Sequence, residues 1–227
     1  MVLAFLLVFT NCCFYDVVVT ANSRFHICPR YGYYTSRVED HRKRSMATAN
    51  RASAVEVAIA KLQELDINFL ALDFDQTLID IHTGGRWGGT VQELESHVRS
   101  EFAQLMIAAC QNNIRMAIVT FSLQPSMIAT VVESIVGHEQ AARIPIRGGD
   151  RSWSYQGEGS KEGKQAHMAS AAEELEQSEE IQIAKNTTLL IDDDRRNIRY
   201  ALSDGTRAIW FDPDRPHHLF RNIAKLV

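Results

Sequence analysis

Cysteine is scarce in this chain, and its placement excludes a disulfide framework. Of four cysteines, Cys12, Cys13 and Cys28 lie near the start and only Cys110 lies in the body. The body therefore has no internal pair to oxidise, and its fold does not depend on an oxidising compartment. A surplus of positive charge is also missing. The formal net charge is -4, and seven Lys/Arg against two acids fall within residues 22–51, so the remainder is acidic. Nucleic-acid binding usually needs a basic face, so stable nucleic-acid binding is not expected. The charge-free run at the start stops at Asp16, short of the ~20 apolar residues of a spanning helix, and no firm membrane anchor is expected. Internal repeats and low-complexity tracts are absent. What remains is an ordinary globular composition, 45% apolar and 23% charged over 227 residues, which suits one domain with an appendage.

The appendage is residues 1–45. Met1–Phe9 is apolar enough for a signal-peptide core, and Val19-Thr20-Ala21 has small residues where a cleavage site needs them, although no positive residue precedes the core. Arg24–Arg51 is rich in arginine, serine and tyrosine, a composition that suits a transit peptide or a basic linker. A third reading places the start of translation at Met46. A genuine leader implies a secreted or organelle-targeted protein; without one the expectation is cytoplasmic. His41-Arg-Lys-Arg44 reads as a solvated linker.

Residues 46–227 alternate helical and strand patterns. Ser53 precedes an amphipathic helix over Ala54–Leu65, with Val55, Ile59 and Leu62 near helical spacing. Ile67–Leu72 reads as a buried strand. Thr90-Val-Gln-Glu93 is a capping box, predicting a long helix to about Asn112. Short apolar strands follow at Met116–Thr120, Ile144–Ile146, Thr187–Ile191 and Arg207–Phe211. Helices are expected after Pro125, over 161–178, over Arg195–Ser203 and around His218–Leu226. Such alternation implies an α/β fold with a parallel, doubly wound, Rossmann-like sheet covered on both faces. Ligands of such sheets bind beyond the carboxyl ends of the strands.

Those strand ends carry a consistent chemistry. Asp73 and Asp75 end the first strand within Asp73-Phe-Asp75-Gln-Thr77. Thr120 ends the second. Lys164 stands in Gly163-Lys-Gln-Ala-His167, and Asp192, Asp193 and Asp194 end the fourth. Paired acids at a strand end suit a divalent cation and a phosphate. An aspartate pair, a hydroxyl, a lysine and a second acidic pair, in that order, resemble the four motifs of the haloacid dehalogenase superfamily. Asp192-Asp-Asp-Arg-Arg-Asn197 is similar to that family's closing motif. The resemblance covers roughly residues 66 to 212 and makes 46–227 the hydrolase-like domain.

The resemblance implies a Mg²⁺-dependent phosphohydrolase acting on phosphate monoesters through an aspartyl-phosphate. Asp73 is then the nucleophile and Asp75 the general acid and base. Thr120 and Lys164 hold the phosphoryl oxygens. Asp73, the backbone carbonyl of Asp75 and Asp192 are the metal ligands; Asp193 binds metal through water or orients Lys164. An acid at position 75 argues for phosphatase or phosphomutase chemistry over dehalogenation. Ser122 and Lys161 are alternatives to Thr120 and Lys164. His167 reads as a packing or surface histidine. Asp194 reads as a helix N-terminal residue, and Asn197 as a hydrogen-bonding partner of its loop.

The segment Ile81-His-Thr-Gly-Gly-Arg86-Trp87-Gly-Gly-Thr90 stands where the family places a small flap. Its paired glycines permit hinge motion, and Arg86 and Trp87 are the expected substrate contacts, set against an ordinary glycine turn. Trp153 and Tyr155 are further rim candidates. Neither gap between motifs leaves room for a large cap domain. The partner is a phosphorylated substrate, small or macromolecular. A phosphotransferase and a non-catalytic phosphate-binding scaffold of the same fold are the alternatives.

Overall fold

A computed structural model describes residues 52–227. The expectations for residues 1–45, and for a start at Met46, lie outside the described residues. Among the described residues no helix is long and apolar enough to cross a membrane.

Five strands form one all-parallel sheet: β1 (Phe69–Leu72), β2 (Arg115–Val119), β3 (Ile146–Arg147), β4 (Thr188–Asp192) and β5 (Arg207–Trp210). Their spatial order is β3-β2-β1-β4-β5. Every residue of β1 is buried, as expected for a central strand covered on both faces. The two-residue period of the strands sorts side chains into two cores. Leu70, Leu72, Met116, Ile118, Leu189 and Ile191 face one; Phe69, Ala71, Ala117, Val119 and Leu190 face the other. A fully buried leucine or phenylalanine contributes about 1.5–3 kcal/mol relative to an exposed one, so register slips that reverse the faces are strongly opposed.

The first core is covered by α1 (Ala54–Glu64), α2 (Val91–Glu95), α3 (Ser100–Gln111), α4 (Pro125–Val136) and, past the short α5 (His138–Ala141), the terminal α8 (Leu219–Ile223). The second is covered by α6 (Gln165–Glu179) and α7 (Arg195–Ser203). The capping box expected at Thr90 forms, and the structure shows a second at Ser53. Ser53 Oγ accepts from the Glu56 amide at 3.3 Å, and Thr90 Oγ1 from the Glu93 amide at 3.2 Å. The strand order reverses at β1, so the carboxyl ends of β1, β2 and β4 open onto a common crevice.

Two helices differ from the sequence expectation. The helix capped by Thr90 ends at Glu95, and a second starts at Ser100. Between them Val98 makes an antiparallel bridge with Ile79, the Asp80 amide donates to His97 O, and the Arg99 amide donates to Leu78 O. Backbone pairing with the segment after Asp75 thus outcompetes helix continuation, with no Gly or Pro marking the break. The helix expected from residue 161 starts at Gln165. Gly163 sits at φ +56°, a left-handed conformation incompatible with a continuous right-handed helix.

Candidate functional site

The carboxyl end of β1 delivers Asp73, whose amide donates to Ile191 O across the sheet at 3.0 Å. The chain then turns tightly, and the Ile79 amide closes back on Phe74 O. Gln76 adopts φ +59° within this turn, an uncommon conformation for a residue with a Cβ. Asp73 and Asp75 both line a cavity of about 520 Å³, a size within the usual range for small-ligand sites. Thr120, Ser122, Lys164, Asp192 and Asp193 line it as well.

Lys164 is the central cation. It is 1% exposed, and its Nζ donates to Asp73 Oδ1 at 2.8 Å and to Val119 O at 2.6 Å. Lys161 is exposed and lines no part of the cavity. Gly163 makes this placement feasible: a Cβ there would lie 2.9 Å from Tyr200 Cδ2 and 3.1 Å from Asn197 Oδ1. The chain entering Lys164 therefore presses on α7, which no side chain at 163 would permit without displacement.

Three carboxylates converge. Ligand atoms of Asp73, Asp192 and Asp193 all lie within 4.8 Å of one another. Asp192 is 1% exposed and is held by the Asn197 amide nitrogen at 2.9 Å and the Asp194 amide at 2.8 Å. Asp193 accepts a long bond from Thr77 Oγ1 at 3.4 Å. Asp194 caps α7 by accepting from the Arg196 amide at 2.8 Å. Burial, reinforced by the charge of Asp73, pushes the Asp192 carboxyl up to about 7 and that of Asp193 up to about 6. Negative charge is thus in excess here, with Lys164 the one buried ammonium among the described residues of the cavity.

Asp75 stands apart from that trio. Thr83 Oγ1 lies 2.9 and 2.8 Å from its two carboxylate oxygens, and His82 Nδ1 lies 3.5 Å from one of them. Burial raises its pKa, and the Thr83 bonding opposes this. The flap therefore meets the site through His82, Thr83, Gly84 and Gly85. Arg86 and Trp87, the expected contacts, do not line the cavity. Arg86 is exposed. Trp87 packs against the first core, and its backbone is tied to the Gln124 side chain.

Thr120 is buried at the cavity wall and accepts from the Ser122 amide at 3.2 Å. His167 is buried in an aromatic cluster, with ring centroids 5.2 Å from Phe121 and 4.6 Å from Trp153. Burial, together with the Lys164 and Arg147 charges, depresses its pKa to about 3, so the ring is neutral. Neither Trp153 nor Tyr155 lines the cavity. Sequence reasoning missed Thr83 and Phe121. The available signal was their position: one within the flap, the other directly after the strand-end Thr120.

No family model and no curated protein sequence matches this one. Among solved structures, DsGPDH of Dunaliella salina superposes with TM-score 0.42 and 13% identity, over 66% of this chain and 25% of that one. An uncharacterized protein from Corynebacterium glutamicum superposes with TM-score 0.39 and 15% identity, over 71% of this chain and 97% of that one. This chain therefore spans about a quarter of the length of the Dunaliella protein. Likenesses of this size carry no information about chemistry.

Proposed function

We propose that this protein is a Mg²⁺-dependent phosphohydrolase of the haloacid dehalogenase type, acting on phosphate monoesters. The observation that carries the reading is the buried Lys164–Asp73 pair beside Asp192 and Asp193, at the carboxyl ends of three adjacent strands. The donor set suits the metal: three clustered carboxylates, two with raised pKa, in excess over one ammonium. Hard oxygen ligands of this kind are those Mg²⁺ takes. Asp73, Asp192 and Asp193, with the Asp75 backbone carbonyl, would hold it. When bound, the ion neutralises phosphate oxygens and screens them from the carboxylates.

The chain's own residues divide the chemistry. Lys164 holds Asp73 through Oδ1, which leaves Oδ2 to attack phosphorus. A P–O bond to Asp73 forms as the ester P–O bond breaks. Asp75, whose pKa burial raises, donates a proton to the departing oxygen. In the second step Asp75 takes a proton from water, the water oxygen bonds to phosphorus, and Asp73 leaves as carboxylate. Lys164 and Thr120 stabilise negative charge growing on the phosphoryl oxygens.

Release of phosphate from 4-nitrophenyl phosphate tests this. Turnover is expected with Mg²⁺, none with EDTA, and none with Asp73→Asn. Equal release by wild type and Asp73→Asn, or no release from any monoester with Mg²⁺ present, would overturn the reading.

A further inference from the structure

The cavity has a chemical asymmetry. Among the described residues that line it, Phe121 alone carries a large apolar side chain; the others are charged, polar or glycine. Phe121 is also 55% exposed. An exposed aromatic ring normally gains by turning inward, yet this one is held out.

Several contacts hold it. Its carbonyl is approached so closely by Gly149 that a Cβ at 149 would lie 2.6 Å from Phe121 O. The Gly149 amide donates to Ser122 O at 2.8 Å, and the Leu123 amide to Gly85 O at 2.9 Å. The backbone of 121–123 is thus fixed between two glycine-bearing loops. The ring meets His167 at an interplanar angle of 90°, and His167 in turn packs on Trp153. Lys164 Nζ lies 4.2 Å from the ring centroid, a cation–π contact. The ring is therefore packed on one side beside Thr120 and Lys164, with more than half of the residue left for another molecule.

We infer that Phe121 is a stacking platform for the leaving group, and that the preferred substrates are phosphate monoesters of planar aromatic alcohols. This rests on the phosphohydrolase reading of the same site. A flat ring adjacent to an anionic centre recognises a phosphate carried on, or close to, an aromatic ring. Offset stacking adds to simple burial of area, and the face left free by Lys164 is the one a second ring can cover. A glycerol or serine leaving group offers neither a face to stack nor comparable apolar area.

The test compares four substrates with Mg²⁺: phenyl phosphate, glycerol 3-phosphate, a phosphotyrosine peptide and a phosphoserine peptide. Wild type is set beside Phe121→Leu and Phe121→Tyr. Taking the ratio of variant to wild-type kcat/KM for each substrate cancels intrinsic leaving-group reactivity. Phe121→Leu is expected to lower that ratio about 5–10-fold more for phenyl phosphate than for glycerol 3-phosphate, mainly through KM. Phe121→Tyr, which keeps the ring, is expected to retain the preference. The two peptides distinguish a free aryl phosphate from one on a protein: the peptide pair follows the small-molecule pair only where the cavity admits a polypeptide. Equal losses on aryl and alkyl phosphates in Phe121→Leu, with Mg²⁺-dependent turnover intact in wild type, overturn the inference alone. No turnover of any of the four by wild type removes the phosphohydrolase reading and this inference together.

Discussion

Thr83 and Asp75 are joined across the flap: one hydroxyl lies within 2.9 Å of both oxygens of one carboxylate. The Gly85 amide donates back to the same hydroxyl at 3.2 Å. A single O–H can donate to only one carboxylate oxygen at a time, so the contact orients Asp75 rather than neutralising it. Thr83 thus positions Asp75, and under the proposed phosphohydrolase reading the flap would serve acid–base chemistry through this hydroxyl.

Thr83→Val removes the hydroxyl while keeping the branched shape. The kcat of phosphate release should fall about tenfold, because general acid–base catalysis depends on donor geometry. The Thr83 bond lowers the Asp75 pKa, so its loss should also move the Asp75-dependent limb of the pH–rate profile to higher pH. Thr83→Ser should restore both. An unchanged kcat and profile in Thr83→Val would refute the positioning role.

Lys164 and Asp73 should respond oppositely to neutralisation. Lys164→Met leaves Asp73, Asp192 and Asp193 clustered without their buried ammonium. Denaturant unfolding in EDTA should show a loss of about 3–5 kcal/mol, the usual cost of breaking a buried pair from one side. Asp73→Asn keeps an acceptor for Lys164 and removes the charge that raises its three acidic neighbours. It should be inactive yet at least as stable as wild type without metal. A strongly destabilised Asp73→Asn would contradict this charge balance.

Under the proposed reading, Asp192 and Asp193 would link stability, metal binding and pH. Their folded pKa values, about 7 and about 6, lie above the ordinary 3.8. The folded state therefore binds more protons, and the stability this contributes is complete below about pH 4. It is lost as pH rises through 6 to 7. Mg²⁺ needs the ionised carboxylates, so protons compete with it. The increase in melting temperature on adding Mg²⁺ should be larger at pH 8 than at pH 5.5. Equal increases at both would exclude these two groups as ligands.

His167 titrates with the opposite consequence. Its folded value near 3 lies below the ordinary 6.5. Stability from keeping it neutral is complete above pH 6.5 and declines as pH falls toward 3, because the unfolded chain takes up the proton first. His167→Phe should flatten the wild-type loss of stability between pH 6.5 and pH 4. Parallel stability curves for the two proteins would show that His167 is not responsible.

Much of the fold was legible from local pattern. The helix Arg195–Ser203 appears with the bounds its capping Asp194 and following Gly205 suggest, and the strands fall within a residue or two of their apolar runs. The strand-end rule placed Asp73, Thr120 and Asp192 at one opening because a parallel sheet aligns the carboxyl ends of its strands. Of the two lysines, Lys164 and not Lys161 reaches this opening, a placement that the close approach of Gly163 to α7 makes feasible.

What the sequence by itself determined is this periodic layer: which segments are strands and helices, which faces are apolar, and which polar residues stand at strand ends. Those properties follow from spacing along the chain. Only the tertiary structure decided the break between Glu95 and Ser100, because it comes from pairing Val98 with Ile79, a contact between distant backbone segments. Only the tertiary structure turned the flap so that Thr83 meets Asp75 while Trp87 joins the core. Side-chain identity suggested the larger residues, but the direction of a glycine-flanked loop is set by the non-local hydrogen bonds that hold it, here those of Leu123 and Gln124.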